Sequence, residues 1–198
     1  LKMSEQLDEA LVNENNMNKY DERVGFGRRF GAYMLDVLAM LILGYIISSV
    51  AGEQLVDLFF SGQLAEAEVA AAQYEGMGVD YMGMMTKMTT IGAGTSIVVV
   101  ILFILEGLKG QSIGKMLLKI ENTDVNGQPA DAKKLWVRSG LKYASTILSL
   151  LGGLIGVSFI GTIGSIWGFI IFIGFFFAFA EKKQTIHDMI AKTVVTWK

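Results

Sequence analysis

The sequence predicts an all-α membrane protein, a four-helix transmembrane bundle with a small cytoplasmic β-hairpin or strand element. Three observations predict it. The 198 residues are 52% hydrophobic and only 18% charged, against roughly a quarter charged in a soluble domain. The charge is missing in blocks: residues 30–52 hold only Asp36, residues 88–105 hold none, and residues 143–180 form one uncharged run. Threading those blocks as four spans places every Lys and Arg except Lys87 on one side of the bilayer, the bias that the positive-inside rule requires near span ends. An apolar run of this kind is a span because a helix needs about 20 residues to cross a hydrocarbon core of about 30 Å.

In chain order, residues 1–23 read as a polar, acidic cytoplasmic arm without signal-peptide features, running into the basic residues Arg23, Arg28 and Arg29. Residues 24–197 form the transmembrane domain, whose first span covers about 29–51. An outer insertion follows over 53–87; its Leu64–Tyr74 segment has helix-forming composition but too little apolar length to cross. The second span covers about 88–108 and an inner loop covers 109–142. Within that loop Met116–Glu121 is expected to be a short strand, as is Val194–Trp197 near the C-terminus, and Asn126-Gly127 is a turn signal of the type that closes a hairpin. The 38 uncharged residues from Tyr143 to Ala180 are too long for one span and sufficient for two, about 143–158 and 161–180. Gly152, Gly153, Gly156 and Gly161 are available for the reversal. Gly152/Gly156 and Gly164/Gly168 also have the GxxxG spacing that lets helices approach closely. A rival reading lays Tyr143–Leu154 in the interface and leaves three spans, but it moves Lys182, Lys183, Lys192 and Lys198 outside, against the charge bias.

Composition also excludes chemistry. There is no cysteine and one histidine, His187, so thiolate nucleophiles, cysteine metal sites and multi-histidine metal sites are all absent from one chain. No nucleophile–base pair is visible, and the expectation is a protein that is not an enzyme and uses no metal or cofactor. Gly110–Lys115 has three residues between its glycines and Met116 after the lysine, where a phosphate loop needs four residues and Ser or Thr. Asn122–Gly127 starts like a calcium loop but begins with Asn and meets Lys133 where the bidentate Glu should stand. The methionines 77, 82, 84, 85 and 88 read as flexible packing rather than as a Cu(I) site.

Asp36 is the strongest local signal. It lies about two turns, roughly 10 Å of rise, inside the span that Arg29 opens, where a bare carboxylate costs a few kcal/mol, about 3 or more. The seven-residue spacing puts Arg29 and Asp36 on one helix face, as an ion site or as a structural pair. Glu106, beside Lys109, reads as an interfacial, half-solvated carboxylate. The inner loop's Lys109, Lys115, Lys119, Lys133, Lys134, Arg138 and Lys142 outnumber its acids; anionic lipid headgroups account for that excess, and nucleic acid is not needed to explain it. His187-Asp188 follows the last span, where His187 is placed to titrate near neutral pH. Alternatively, Asp188 caps a short helix ending at Ala191 and pairs with a basic residue of the inner loop.

Together Arg29, Ala32, Asp36, the block Gln111-Ser112-Ile113-Gly114-Lys115, Arg138 and the segment EKKQTIHDMIA at 181–191 resemble the RDD family of small bacterial integral membrane proteins. That family is named for one arginine and two aspartates, which map to Arg29, Asp36 and Asp188. The resemblance covers roughly 24–197. It departs at the outer insertion, longer than the family's minimal form, and at Lys192, where a glycine is common. It implies a multi-pass protein of the bacterial cytoplasmic membrane with both termini inside, with cation/proton exchange suggested for some members. Function then has two readings. In the first, Asp36 near Arg29 binds a monovalent cation or proton for transport, which in so small a chain requires an oligomer. In the second, the protein is a non-transporting accessory or scaffold subunit whose partners are other membrane subunits or copies of itself. A missing second acid beside Asp36 favours the second reading.

Overall fold

The structure is a computed structural model that describes residues 22–71, 74 and 78–198. The N-terminal arm therefore lies outside the described residues save for its last two positions, as does Met77. Helix α1 runs over Phe26–Phe59 with a break at Ala51 (φ −134°), and α2 over Ser61–Ala71. Helix α3, Tyr81–Lys109, starts at Asp80, whose carboxylate accepts from Gly83 N–H, and stops at Gly110, which takes the left-handed conformation (φ 67°). The short α4, Ile113–Leu117, is started by Ser112 accepting from Lys115 N–H. Strand β1, Ile120–Asp124, precedes α5, Ala132–Leu154, started by Asp131 accepting from Lys134 N–H. Helix α6, Ser158–Phe175, runs into a 3₁₀ turn, Phe176–Phe179. The chain closes with α7, Ile186–Ala191, and β2, Thr193–Trp197.

Among the described residues, three helices are long and apolar enough to cross a membrane: Phe26–Phe59, Tyr81–Lys109 and Phe159–Phe179. At about 1.5 Å per residue α1 is roughly 50 Å long, well beyond a hydrocarbon core. It absorbs the start of the segment expected as an outer insertion, and Ser61–Ala71 supplies the non-crossing helix of that region. Their outward faces carry large apolar side chains, Leu41, Tyr45, Ile101 and Phe169 among them. Such exposure fits lipid as solvent rather than water.

Interhelical contact is made by small residues. Cβ atoms added at Gly44 and Gly52 of α1 would strike Thr95 and Thr90 of α3, and one at Gly94 would strike Ser48 Oγ and Gly44 O. Gly164 and Gly168 seat α6 against Ser145 of α5, the close approach expected of GxxxG spacing. The α5–α6 reversal turns at Gly156 (φ 70°), with Val157 N–H donating to Gly152 O at 2.8 Å.

At one end, the sheet end, β1 pairs antiparallel with β2, Ile120 opposite Trp197 through Asp124 opposite Thr193. Val24 N–H donates to Val195 O, and Val24, Ala32, Ile120 and Val195 form a small core there. Two expectations are corrected. Met116 and Leu117 belong to a helix, because Ser112 caps it, so the strand begins at Ile120. Asn126-Gly127 does make a turn, with Asp124 Oδ1 accepting from Asn126 and Gln128 N–H and Gly127 at φ 78°. It closes only a one-pair bridge, Thr123 to Pro129; the strand partner comes instead from the C-terminus.

Candidate functional site

Five elements bring charge to one buried place at the sheet end. The last turns of α3 supply Glu106, α4 supplies Lys115, α5 supplies Arg138 and Lys142, α7 supplies Asp188, and the first turn of α1 supplies Arg29. Glu106 and Asp188 have no solvent exposure at all. Arg138 joins them: its Nη1 donates to Glu106 Oε1 at 2.5 Å and its Nε to Asp188 Oδ1 at 2.7 Å. Asp188 Oδ2 accepts from Arg29 Nη1 at 2.6 Å. Glu106 Oε2 accepts from Lys142 Nζ at 2.7 Å, and Glu106 Oε1 also takes Lys115 Nζ. Asn122 of β1 completes the knot, accepting from Lys115 at 2.7 Å and donating to Glu106 at 3.1 Å.

Local structure places each group. The left-handed Gly110 ends α3 and turns the chain so that α4 packs against α1. At Gly114 α4 lies against α1 so closely that a Cβ would strike the Ala32 carbonyl. That contact explains both small residues, and it brings Gly114 N–H to Asp36 Oδ1 at 2.7 Å. Gln111 Nε2 donates to Ile120 O at 2.9 Å, tying the loop to β1. Asp188 is the third residue of α7 and forms a capping box with Thr185, so one carboxylate both starts a helix and holds two guanidinium groups. The helix stops at Lys192, left-handed at φ 54°, a conformation glycine adopts without penalty.

The sequence-predicted residues are therefore gathered, with changed partners. Arg29 meets Asp188 rather than Asp36. Asp36 is 3% exposed and makes no ion pair among the described residues; a backbone N–H compensates it. Glu106 is not a half-solvated interfacial acid but the most heavily paired carboxylate among the described residues. Three inner-loop cations, Lys115, Arg138 and Lys142, turn inward to it, so that part of the loop's basic excess serves the interior. Lys142 and Asn122 carry roles that sequence reading did not single out. A base four residues beyond Arg138 on the same helix face was the available signal for Lys142; Asn122 had none.

Electrostatics follow from burial and neighbours. The guanidinium groups of Arg138 and Arg29 overcome burial and hold Asp188 well below the usual carboxylate range. Burial, reinforced by Arg138, pushes Lys115 down to about 7 despite Glu106. Burial pushes His187 down to about 3, so the imidazole is neutral at physiological pH and the expected titration near neutrality is absent. Arg138 Nη2 lies 3.4 Å and Thr185 Oγ1 3.0 Å from His187 Nε2; since a guanidinium only donates and the hydroxyl can, Nε2 is assigned as the acceptor of both and the ring hydrogen to Nδ1, which has no partner among the described residues. No group of three or more His, Cys, Asp or Glu placed to hold a metal occurs among the described residues.

No curated protein and no solved structure matches the chain significantly. The family comparison does match: the RDD family profile aligns with residues 23–192, which include all seven charged residues Arg29, Asp36, Glu106, Lys115, Arg138, Lys142 and Asp188. The chain is an integral membrane protein by its apolar helices, and it belongs to the RDD family.

Proposed function

We propose that the chain is a four-span protein of the bacterial cytoplasmic membrane, with both termini inside, acting as a non-transporting accessory or scaffold subunit. The single observation that carries the functional part is the saturation of its buried acids. Glu106 faces three cations and Asp188 two, which leaves neither free to take up a metal ion, and no second acid joins Asp36 among the described residues. Side chains locked this way set the relative placement of five elements and present β1, β2 and α7 as a fixed cytoplasmic surface for a membrane partner or a second copy. Neither an enzymatic role nor nucleic-acid binding is part of this reading.

Support for the fourth span comes from α5. Its Arg138 meets Glu106 at the sheet end, while Leu150 packs with Val56, Phe60 and Ala93 at the distal end and Gly153 abuts Phe59 O. The helix thus reaches from end to end beside α3. Its low apolarity comes from Arg138 and Lys142, whose charges Glu106 and Asp188 offset. Cysteines placed at Ser61 and Lys183 of this cysteine-free chain are expected to label from opposite sides of the membrane; same-side labelling overturns the topology.

Cation/proton transport remains the second reading, and one observation favours it: Asp36 is the buried acid without an ion pair among the described residues. Proteoliposomes separate the two. The accessory reading expects equal, background-level proton flux from wild type and Asp36→Asn across Na⁺ and K⁺ gradients. Wild-type flux that the Asn variant abolishes establishes transport instead.

A further inference from the structure

Between α1 and α6 lies a cavity of about 290 Å³ whose walls divide by chemistry. One part is lined by Arg29, Asp36, Lys115, Arg138, Lys142 and His187. Glu106 and Asp188 stand behind these cations and do not line the cavity, so its surface presents four basic side chains and one carboxylate. The other part is aromatic. Phe30, Tyr33, Phe172 and Phe176 line it and are 43%, 42%, 57% and 47% exposed, respectively, toward the side where hydrocarbon lies. Phe26 packs on Phe175, Phe176 and Phe179 and closes the sheet end of the gap. The aromatic wall is thus formed by exposed side chains of α1 and of the α6 end that runs into the 3₁₀ turn.

Three donors in the cationic part await acceptors. Lys115 Nζ has two of its three hydrogens engaged, by Glu106 and Asn122. Lys142 Nζ likewise has two engaged, by Glu106 and Tyr143 Oη. His187 is 4% exposed, and its Nδ1–H has no acceptor among the described residues. A buried donor of this kind is costly unless something accepts from it. With Lys115, held near 7, in its ammonium form, the four bases exceed the three carboxylates by one, and a monoanion both balances the set and favours that form.

We propose that the cavity is a binding site for one anionic phospholipid of the surrounding bilayer, with its phosphodiester on Lys115, Lys142 and His187 Nδ1–H and an acyl chain between Phe30 and Phe172. Basic pockets between spans at the cytoplasmic side are where anionic headgroups are held. Asp36 is the one wall carboxylate; Gly114 N–H engages Oδ1, and Oδ2 is an acceptor for a headgroup hydroxyl. Phosphatidylglycerol supplies both the monoanion and the hydroxyls. The site requires a membrane setting but not the absence of transport, so a positive flux result leaves it standing.

The test uses the purified full chain in neutral detergent, with lipid binding followed by native mass spectrometry and by thermal unfolding. One phosphatidylglycerol is expected to bind per chain, at least tenfold tighter than phosphatidylcholine, and to raise Tm. Lys142→Gln is expected to lose most of that preference. Because Lys142 also pairs with Glu106, a second variant, Thr146→Trp, fills the cavity from its wall while replacing no member of the ion pairs; it is expected to keep the lipid-free Tm and to lose the bound lipid. Equal binding of the two lipids, or phosphatidylglycerol binding that Thr146→Trp leaves intact, overturns the site. Inorganic phosphate raising Tm as far as the lipid does, or oleate binding as tightly, overturns the phospholipid assignment.

Discussion

The two ends of the helical bundle are held together by opposite means. At the sheet end, Glu106, Asp188 and Asn122 bind Arg29, Lys115, Arg138 and Lys142 in a knot whose two carboxylates are fully buried. At the distal end no described charge takes part in the packing of α1 on α3. Glycines let the backbones touch, Ser48 Oγ donates to Gly44 O and Thr90 O, and Val56, Phe60, Ala93 and Leu150 form the core. The difference teaches where each force is available. Lipid tails are as apolar as Leu, so helices in hydrocarbon associate through close packing and small polar groups. Near the interface, charges can be brought in with their counter-ions, and their long reach specifies which elements meet.

The largest expected effect breaks the sheet end. Glu106→Gln removes one charge from three buried cations and is expected to cost about 3–5 kcal/mol, the range for breaking a buried pair; chemical denaturation in micelles reads it. A stability within 1 kcal/mol of wild type, about a fivefold change in the folding equilibrium, would show that water reaches the knot. At the distal end the corresponding injury is volume. Gly94→Val drives its side chain into Ser48 and the Gly44 carbonyl, for an expected loss of about 1–3 kcal/mol.

Acid sharpens the contrast, because only the sheet end contains a buried imidazole. As pH falls below about 6.5 the unfolded chain takes up a proton that folded His187 refuses until about 3. Stability from this group is therefore complete above pH 7 and declines by up to about 1.4 kcal/mol per pH unit on the way down. Between pH 6 and 5, where Lys115, held near 7, is already protonated, a drop in Tm is expected in wild type and not in His187→Gln. Asp188, held well below the carboxylate range, does not contribute there. The smallest effect is a gain: Lys192→Gly relieves a left-handed lysine (φ 54°) and is expected to add about 1 kcal/mol, seen as a higher Tm with the lipid-facing helices unchanged by circular dichroism.

Much of this was legible in the chain. Apolar run length marks the three strongly apolar helices, since crossing distance divided by helical rise is a property of the backbone and not of any partner. Gly156 at the reversal and Asp188 at the start of the short helix ending at Ala191 are equally local, because a cap is read within three residues of its helix. The charged residues of the site were legible as a set. Arg29, Asp36, Glu106, Lys115, Arg138 and Asp188 stand out in a sequence where charge is scarce.

Their pairing was not legible, and the reason is distance along the chain. Arg29 and Asp188 are 159 residues apart, and Arg138 and Asp188 are 50 apart, whereas helical spacing relates residues only three or four apart. Seven-residue spacing correctly put Arg29 and Asp36 on one face, yet tertiary packing gave Asp36 to Gly114 N–H and Arg29 to α7. The same limit hid the partner of β1, since a turn at Asn126-Gly127 says nothing of a strand at the C-terminus. The sequence alone determined which residues must leave water and which charges would need partners there. Only the tertiary structure decided who the partners are, because a buried charge is satisfied by whichever counter-ion the packed elements bring within about 3 Å.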